Sequence, residues 1–174
     1  GLEEEIYDLT FGSREWRLLD AGRITRREAN ERMLQRARAV GRGFEVEGVL
    51  DDWMSMLHPR RRMQTLVEQL KQRGYCVYYL SNIPEDVLDL LMHRDFEGLF
   101  DGGVASCEVK VNKPDPRIYQ ALLDKYRLRA DECIFIDDRA DNLVAASALG
   151  FGIYEMHNVG TLLRSLPTFG VSLH

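Results

Sequence analysis

The 174-residue sequence lacks several patterns that would assign it to a class at once. It has three cysteines, an odd number, and no C-x-x-C or H-x-x-x-H spacing, so neither a disulfide framework nor a zinc site is expected. It has no apolar run long enough to span a bilayer and no signal peptide. It has no positive excess either, because the formal net charge is −5, which argues against a nucleic-acid surface. We therefore expect a soluble, cytoplasmic protein with free thiols and with neither a membrane nor a nucleic-acid partner.

The sequence does contain enough apolar residues, 45%, for one full core with a small appended lobe. Residues 1–57 have helical patterns and no strand, including a capping box from Thr25 to Glu28. After His58, helices and strands alternate, and Pro59 is well placed to start the first of these helices. Such alternation is typical of a parallel sheet with helices on both faces. We predict a helical lobe over residues 1–57 and an α/β domain over residues 58–174.

The strongest functional signal is a pair of acids at the end of an apolar run. Residues 133–136 are long enough for one strand buried on both faces, and Asp137 and Asp138 follow directly. Open α/β sheets hold their ligands at this end of the strands. Adjacent carboxylates repel unless a cation compensates, and Mg²⁺ fits because it takes one or two carboxylates plus phosphate oxygens. The alternative is that the pair only caps the next helix.

Two further loops carry groups suited to phosphate. Ser81 and Asn82 follow the strand predicted over residues 75–80, where a hydroxyl, an amide and backbone N–H groups together form an anion site. They could equally cap the following helix. Lys113, held between a strand and a helix by two prolines, can neutralise a phosphoryl group, or it is a solvated loop lysine. Asn142 either steadies the acidic loop or faces water.

In the order and spacing of these motifs, the sequence resembles members of the haloacid dehalogenase (HAD) superfamily, in the subgroup with a small helical cap. The motifs are strand-Ser-Asn, then Lys-Pro-x-Pro-x-x-Tyr, then strand-Asp-Asp-x-x-x-Asn. Within the family the chain is most similar to sugar-phosphate phosphatases of the α-glucose-1-phosphatase kind and to the phosphatase domain of soluble epoxide hydrolases. The resemblance covers nearly the whole chain. It implies a cap over residues 1–57 and a three-layer, Rossmann-type α/β core over residues 58–174.

The resemblance also implies an activity and a set of roles. The expected activity is Mg²⁺-dependent hydrolysis of small phosphorylated metabolites, with sugar phosphates as the expected substrates, through an aspartyl-phosphate. A 2-haloacid dehalogenase is an alternative, but dehalogenases of this fold need no metal and carry uncharged residues in place of the acidic pair. The second alternative function is that of a non-catalytic module that binds a phosphorylated metabolite or a partner. By the likeness, Ser81 and Asn82 bind the phosphoryl group, Lys113 is catalytic and binds phosphate, and Asp137 and Asp138 hold Mg²⁺, Asp138 more directly.

The first motif of the family, Asp-x-Asp at the end of an N-terminal strand, is absent from this sequence. The nearest imitation is Asp8, which follows three glutamates, and we predict it to be a helical surface residue. In the family the missing strand lies between the strands ending at Leu80 and Ile136, so its loss would leave a slot about 10 Å wide. Three outcomes are open. Another segment or a second copy fills the slot by strand exchange or homo-oligomerisation, the sheet closes, or the N-terminus is lost. We favour the last and expect the chain to be inactive alone.

Overall fold

The computed structural model describes residues 1–58 and 60–173, so the helix start expected at Pro59 lies outside the described residues. The first part of the chain is helical, as predicted. The capping box forms, because the Thr25 hydroxyl accepts from the Glu28 N–H and the Glu28 carboxylate accepts from the Thr25 N–H. The helix that follows Thr25 ends at Ala39, and the next helix begins at Gly43. The elements are α1 (Leu2–Leu9), α2 (Arg14–Asp20), α3 (Arg26–Ala39), α4 (Gly43–Asp52) and a 3-10 turn (Trp53–Met56).

From residue 60 onward, strands and helices alternate along the chain, as predicted. The elements are α5 (Arg61–Gln72), β1 (Tyr78–Ser81), α6 (Glu85–Arg94), β2 (Gly102–Ala105), α7 (Ser106–Val109), α8 (Pro116–Tyr126), β3 (Ile134–Asp137), α9 (Ala140–Ala148), β4 (Gly152–Glu155) and α10 (Val159–Ser165), with 3-10 turns at Ala130–Glu132 and Leu166–Phe169.

The strands form two separate parallel pairs. β1 pairs with β2, with Ser81 opposite Ala105, and β3 pairs with β4, with Asp137 opposite Glu155. No hydrogen-bonded ladder joins β1 to β3 within residues 60–173. The sheet has therefore not closed up between the strands that were expected to flank a missing one. Each of these two strands keeps one edge that no described strand pairs, and such edges are templates for a further strand.

Helix α8 connects the two halves of the sheet. Tyr119 is fully buried, and its ring lies 5.3 Å from that of Phe135 on β3 and 6.3 Å from that of Phe151 beside β4. The same apolar cluster includes Val104 of β2 and the partly buried Leu80 of β1. Burial of apolar area of this kind is the main term that stabilises a fold, at about 25 cal/mol per Å². The halves are thus held together by packing on α8.

The N-terminal helices pack on the β1–β2 half. Met33 of α3 is fully buried in a cluster that also contains Ile83, just before α6, and Val87, in its first turn. One ion pair spans the same contact, because the Arg26 guanidinium donates to both carboxylate oxygens of Asp86 at 2.8 and 3.1 Å. These contacts set the N-terminal helices against the chain that follows β1, which is the edge at which the polar motifs lie.

The three cysteines are free thiols, and only Cys107, in α7, is buried, whereas Cys133 is partly exposed and Cys76 exposed. Among the described residues, no helix is both long enough and apolar enough to cross a bilayer. Asp8 lies exposed on α1, which confirms the prediction of a helical surface aspartate.

Candidate active site

The predicted polar residues lie on three segments that follow or end strands. Strand β1 begins three residues later and ends one residue later than the predicted range 75–80, so Ser81 is its last residue and Asn82 follows it. Asp137 is the last residue of β3, and Asp138 follows it. Lys113 lies in the loop between α7 and α8. The structure joins three of these residues, Asn82, Lys113 and Asp137, by hydrogen bonds, as described below.

Lys113 and Asp137 form a buried ion pair. The Lys113 ammonium lies 2.7 Å from Asp137 Oδ2, and the two side chains are only 10% and 7% exposed. The same ammonium is 5.4 Å from the centre of the Phe135 ring, close enough for a cation–π contact. A pair this buried is costly to desolvate and stable only when its remaining polar atoms also find partners. Lys113 is therefore not the solvated loop lysine of the alternative interpretation.

The second oxygen of Asp137 has partners as well. Asp137 Oδ1 accepts from the Arg139 backbone N–H and from the Asn142 side-chain amide, both at 2.9 Å. Burial raises the pKa of Asp137, but the hydrogen bonds from Lys113, Asn142 and Arg139 outweigh it, so the pKa lies below its usual value. Asn142 is 3% exposed, which resolves the two interpretations of this residue: it steadies the acidic loop.

Asn82 fixes the backbone of Lys113. Its amide nitrogen donates to the Lys113 carbonyl at 3.0 Å, and its amide oxygen accepts from the Lys113 N–H at 2.7 Å. Both ends of the Asn82 side chain are thus engaged by one residue on another loop. The arrangement ties the end of β1 to the loop that delivers the ammonium to Asp137.

Two of the predicted residues are left available. The Ser81 hydroxyl is partly exposed and has no hydrogen-bond partner within residues 1–58 and 60–173. The Asp138 carboxylate is exposed and has no ion pair or hydrogen bond in the same described ranges. A free hydroxyl donor and a free carboxylate are the groups that a phosphate and a metal ion, respectively, would engage.

The carboxylates at this edge fit Mg²⁺ better than a metal held by a full protein cage. No group of three or more His, Cys, Asp or Glu side chains able to hold a metal occurs in the described part of the chain. Mg²⁺ keeps several waters and is commonly bound by one or two carboxylates plus substrate phosphate oxygens. Of the two adjacent carboxylates, Asp138 is the freer, because Asp137 already accepts three hydrogen bonds.

Sequence reasoning missed two residues that organise the site. The Ser106 hydroxyl accepts from the Ile83 N–H at 2.9 Å and donates to the Asp20 carbonyl, which links the segment after β1 to helix α2. The Tyr119 hydroxyl donates to the Asn142 carbonyl at 2.9 Å, and burial raises the pKa of this phenol, so it stays protonated. Tyr119 ends the Lys-Pro-x-Pro-x-x-Tyr motif, which was a usable signal, whereas nothing local singled out Ser106.

A buried lysine–carboxylate pair and a free acid at the ends of parallel strands are the kinds of group that phosphate-handling sites of α/β folds use. Residues 4–150 match the family model of the haloacid dehalogenase-like hydrolases. The chain belongs to the haloacid dehalogenase-like hydrolase family. This confirms the family, the α/β fold with a Rossmann-type core, and the hydrolase class predicted from the sequence.

Three relatives refine the family assignment. A sesquiterpene phosphatase of Aspergillus oryzae is 31% identical over 157 residues, which are 88% of this chain and 79% of that protein. Bifunctional epoxide hydrolase 2 of Mus musculus is 27% identical over 134 residues, which are 71% of this chain but only 23% of that protein. A HAD-family enzyme of Bacteroides thetaiotaomicron, solved with magnesium and inorganic phosphate, is 25% identical, with a TM-score of 0.68 and coverage of 92% of this chain and 83% of that one. The family match and the phosphatase relative confirm the predicted class, a phosphoric monoester hydrolase. The magnesium bound in the Bacteroides enzyme agrees with the predicted cofactor, Mg²⁺.

Proposed function

We propose that this chain carries the phosphate- and metal-binding part of a phosphatase of small phosphorylated metabolites, with sugar phosphates as the expected substrates. The single observation that carries the proposal is the buried Lys113–Asp137 pair beside the free Asp138 carboxylate. Three hydrogen bonds support the two residues of this pair. The Asn82 amide donates to the Lys113 carbonyl and accepts from the Lys113 N–H, and the Asn142 amide donates to Asp137 Oδ1.

Lys113 is the group that offsets negative charge on the transferring phosphoryl group. An ammonium in a partly water-excluded site interacts more strongly with phosphate oxygens than it would in water. Ser81 contributes a hydroxyl donor with no competing partner among the described residues. Asn82 acts in part through Lys113, because it holds the backbone of that residue from both sides.

Asp138, with Asp137 behind it, would hold the Mg²⁺ ion. When bound, the ion supplies positive charge for the oxygens of the transferring phosphoryl group. Asp137 remains charged at neutral pH, since its pKa lies below the usual value for the reasons given above. Asn142 and the Arg139 N–H keep its carboxylate in one orientation.

The reaction also needs a nucleophile, and none of the 14 aspartates of this sequence lies in an Asp-x-Asp pattern. We propose that the chain is inactive on its own and that residues 1–57 form a cap that selects the substrate over the core of residues 58–174. The unpaired edges of β1 and β3 support insertion of a further strand between them, from a second copy or another chain segment. A non-catalytic phosphometabolite-binding module fits the same observations if no such strand exists.

The test is phosphate release from an aryl phosphate and a sugar-phosphate panel, with and without Mg²⁺, together with Mg²⁺-dependent binding of inorganic phosphate. Asp138→Asn is the control in both assays. Binding that requires Mg²⁺ and Asp138, without turnover, supports the proposed site and the inactivity of the chain. Turnover that is lost in Asp138→Asn keeps the phosphatase site and overturns the inactivity. Absence of both binding and turnover overturns the proposed function.

A further inference from the structure

A second cleft borders the loop that carries Lys113. It has a volume of about 250 Å³ and is formed by helix α2 with the residues just after it and by residues 110–117. Lys113 itself does not line it. Its volume is below the roughly 300–1,000 Å³ of sites that enclose drug-sized ligands, so it suits a small ion or a small polar group.

The cleft is strongly cationic in a chain whose net charge is −5. Five cations against one carboxylate line it, an excess of four positive charges. The carboxylate is Asp115, and hydrogen bonds from Arg117 hold its pKa at about 2, so these two charges neutralise each other. The remaining cations are Arg14, Arg17, Arg23 and Lys110.

These four cations have no carboxylate partner among the described residues. Arg17 donates to the Gly12 carbonyl, Arg23 to the Lys110 carbonyl, and Lys110 to the Gly22 carbonyl. Arg14 has no partner at all within residues 1–58 and 60–173. Like charges gathered in one concave site repel, and an anion that binds there removes the repulsion. Most other arginines of the N-terminal helices, by contrast, are paired with acids.

The contacts around the cleft join two parts of the chain. Three hydrogen bonds link the α2 region to the loop before α8. They run from the Arg23 side chain to the Lys110 carbonyl, from the Lys110 side chain to the Gly22 carbonyl, and from the Asn112 side chain to the Arg17 carbonyl. An anion that bridges Arg14 or Arg17 to Lys110 would add to these links. It would stabilise the position of α2 relative to the loop that presents Lys113.

We propose that this cleft binds a small phosphorylated anion, and that binding holds the N-terminal helices against the loop of Lys113. The cleft shares no lining residue with the proposed Mg²⁺-dependent site. Binding here requires no metal, and it weakens as the salt concentration rises, since the cations are exposed.

The test is titration of the 174-residue chain with inorganic pyrophosphate in the presence of a metal chelator. Binding is measured by calorimetry and by the change in melting temperature. The titration extends to about 10 mM, ten times the concentration that half-fills a site of millimolar affinity. Arg14→Gln is expected to weaken binding about threefold, and Arg14→Gln with Arg17→Gln about tenfold. The matched control is Arg27→Gln with Arg32→Gln, which removes the same charge from the exposed face of α3 and should leave binding within about twofold.

Ser81→Ala separates the two sites. Metal-independent binding that survives in Ser81→Ala, falls in the Arg14 and Arg17 variants, and raises the melting temperature of the unchanged chain supports the inference. Binding that is lost in Ser81→Ala and unchanged in the Arg14 and Arg17 variants overturns it, because pyrophosphate then enters the candidate active site. An equal loss in the α3 control, or no binding at all, also overturns it. None of these results decides the proposed phosphatase site, whose test requires Mg²⁺ and Asp138.

Discussion

Asn82 and Lys113, 31 positions apart in the sequence, hold each other through two reciprocal hydrogen bonds, from the Asn82 amide nitrogen to the Lys113 carbonyl and from the Lys113 N–H to the Asn82 amide oxygen. Only a primary amide can donate and accept in this way. The relationship makes the end of β1 and the loop before α8 one unit. The position of the Lys113 ammonium on Asp137 depends on it, which leads to the first prediction.

Asn82→Ala removes both bonds and leaves a partly buried backbone N–H and carbonyl of Lys113 without partners. We expect the free energy of unfolding to fall by about 1–3 kcal/mol, measured by urea denaturation. Asn82→Asp keeps the acceptor but places an oxygen against the Lys113 carbonyl, so it should not restore stability. Gln120→Ala, which removes an amide from the exposed face of α8, should change stability by less than about 0.5 kcal/mol. Equal effects of Asn82→Ala and Gln120→Ala would contradict the structural role of Asn82.

Lys113→Met breaks the buried ion pair and leaves the Asp137 carboxylate without its cation. We expect a loss of about 3 kcal/mol in the free energy of unfolding, because an unpaired buried charge is costly. The double variant Lys113→Met with Asp137→Asn should recover part of the loss, since the stranded charge is gone. The matched control is Arg129→Met, because the Arg129–Asp131 pair has side chains 69% and 64% exposed and should contribute little. A loss as small as that of the control would mean that the pair is not buried in solution.

Asp20 gives a pH-dependent prediction. Burial raises the pKa of Asp20 to about 7, with Asp86 adding to the shift and Arg26 opposing it. Between its ordinary pKa near 3.8 and 7 the folded chain binds more protons than the unfolded chain, so this group makes stability fall as the pH rises through that window. Asp20→Asn should therefore stabilise the chain at pH 8, on the order of 1–2 kcal/mol because the carboxyl is partly exposed and screened.

The same substitution should give almost no gain at pH 4, where Asp20 is protonated in the folded state. Urea denaturation at both pH values checks the difference. Asp51→Asn, at an exposed position on α4, controls for loss of one negative charge and should show no such pH dependence. A stabilisation by Asp20→Asn that is equal at pH 4 and pH 8 would contradict the raised pKa of Asp20.

Asp138→Asn should lower the affinity for Mg²⁺ by about tenfold or more without destabilising the chain. The Asp138 carboxylate is exposed and has no partner among the described residues, so its loss affects only what binds to it. Calorimetric titration with Mg²⁺ in the presence of inorganic phosphate measures the effect. Asp131→Asn, an exposed acid paired with Arg129, is the control for charge and should bind Mg²⁺ like the unchanged chain.

The parts of the site that could be predicted from sequence are those fixed by local pattern. The apolar run before Asp137 predicts a strand and places the acids at its end, and the capping box at Thr25 predicts the start of α3. The parts that could not be predicted depend on which loops meet in three dimensions. The reciprocal bonds of Asn82, the link from Ser106 to Asp20, and the cationic cleft between α2 and residues 110–117 each join segments with more than 20 residues between them.

The absence of a strand between β1 and β3 could be predicted from the sequence, whereas the split of the sheet could not, because the sequence leaves closure of the gap equally open. The sequence contains no apolar strand with an acid at its end before residue 58, so a strand expected between β1 and β3 had no candidate. The structure has two strand pairs, and α8 packs against both. Hydrophobic packing on one helix thus compensates for the ladder that does not form.

The most direct test of the proposed site is the binding of inorganic phosphate to this chain with and without Mg²⁺, followed by ³¹P NMR, in the unchanged chain and in Ser81→Ala and Asp138→Asn. The account predicts binding that is stronger with Mg²⁺, loses that Mg²⁺ dependence in Asp138→Asn, and is weakened in Ser81→Ala. Phosphate binding that is unaffected by Mg²⁺ and by both substitutions would contradict it.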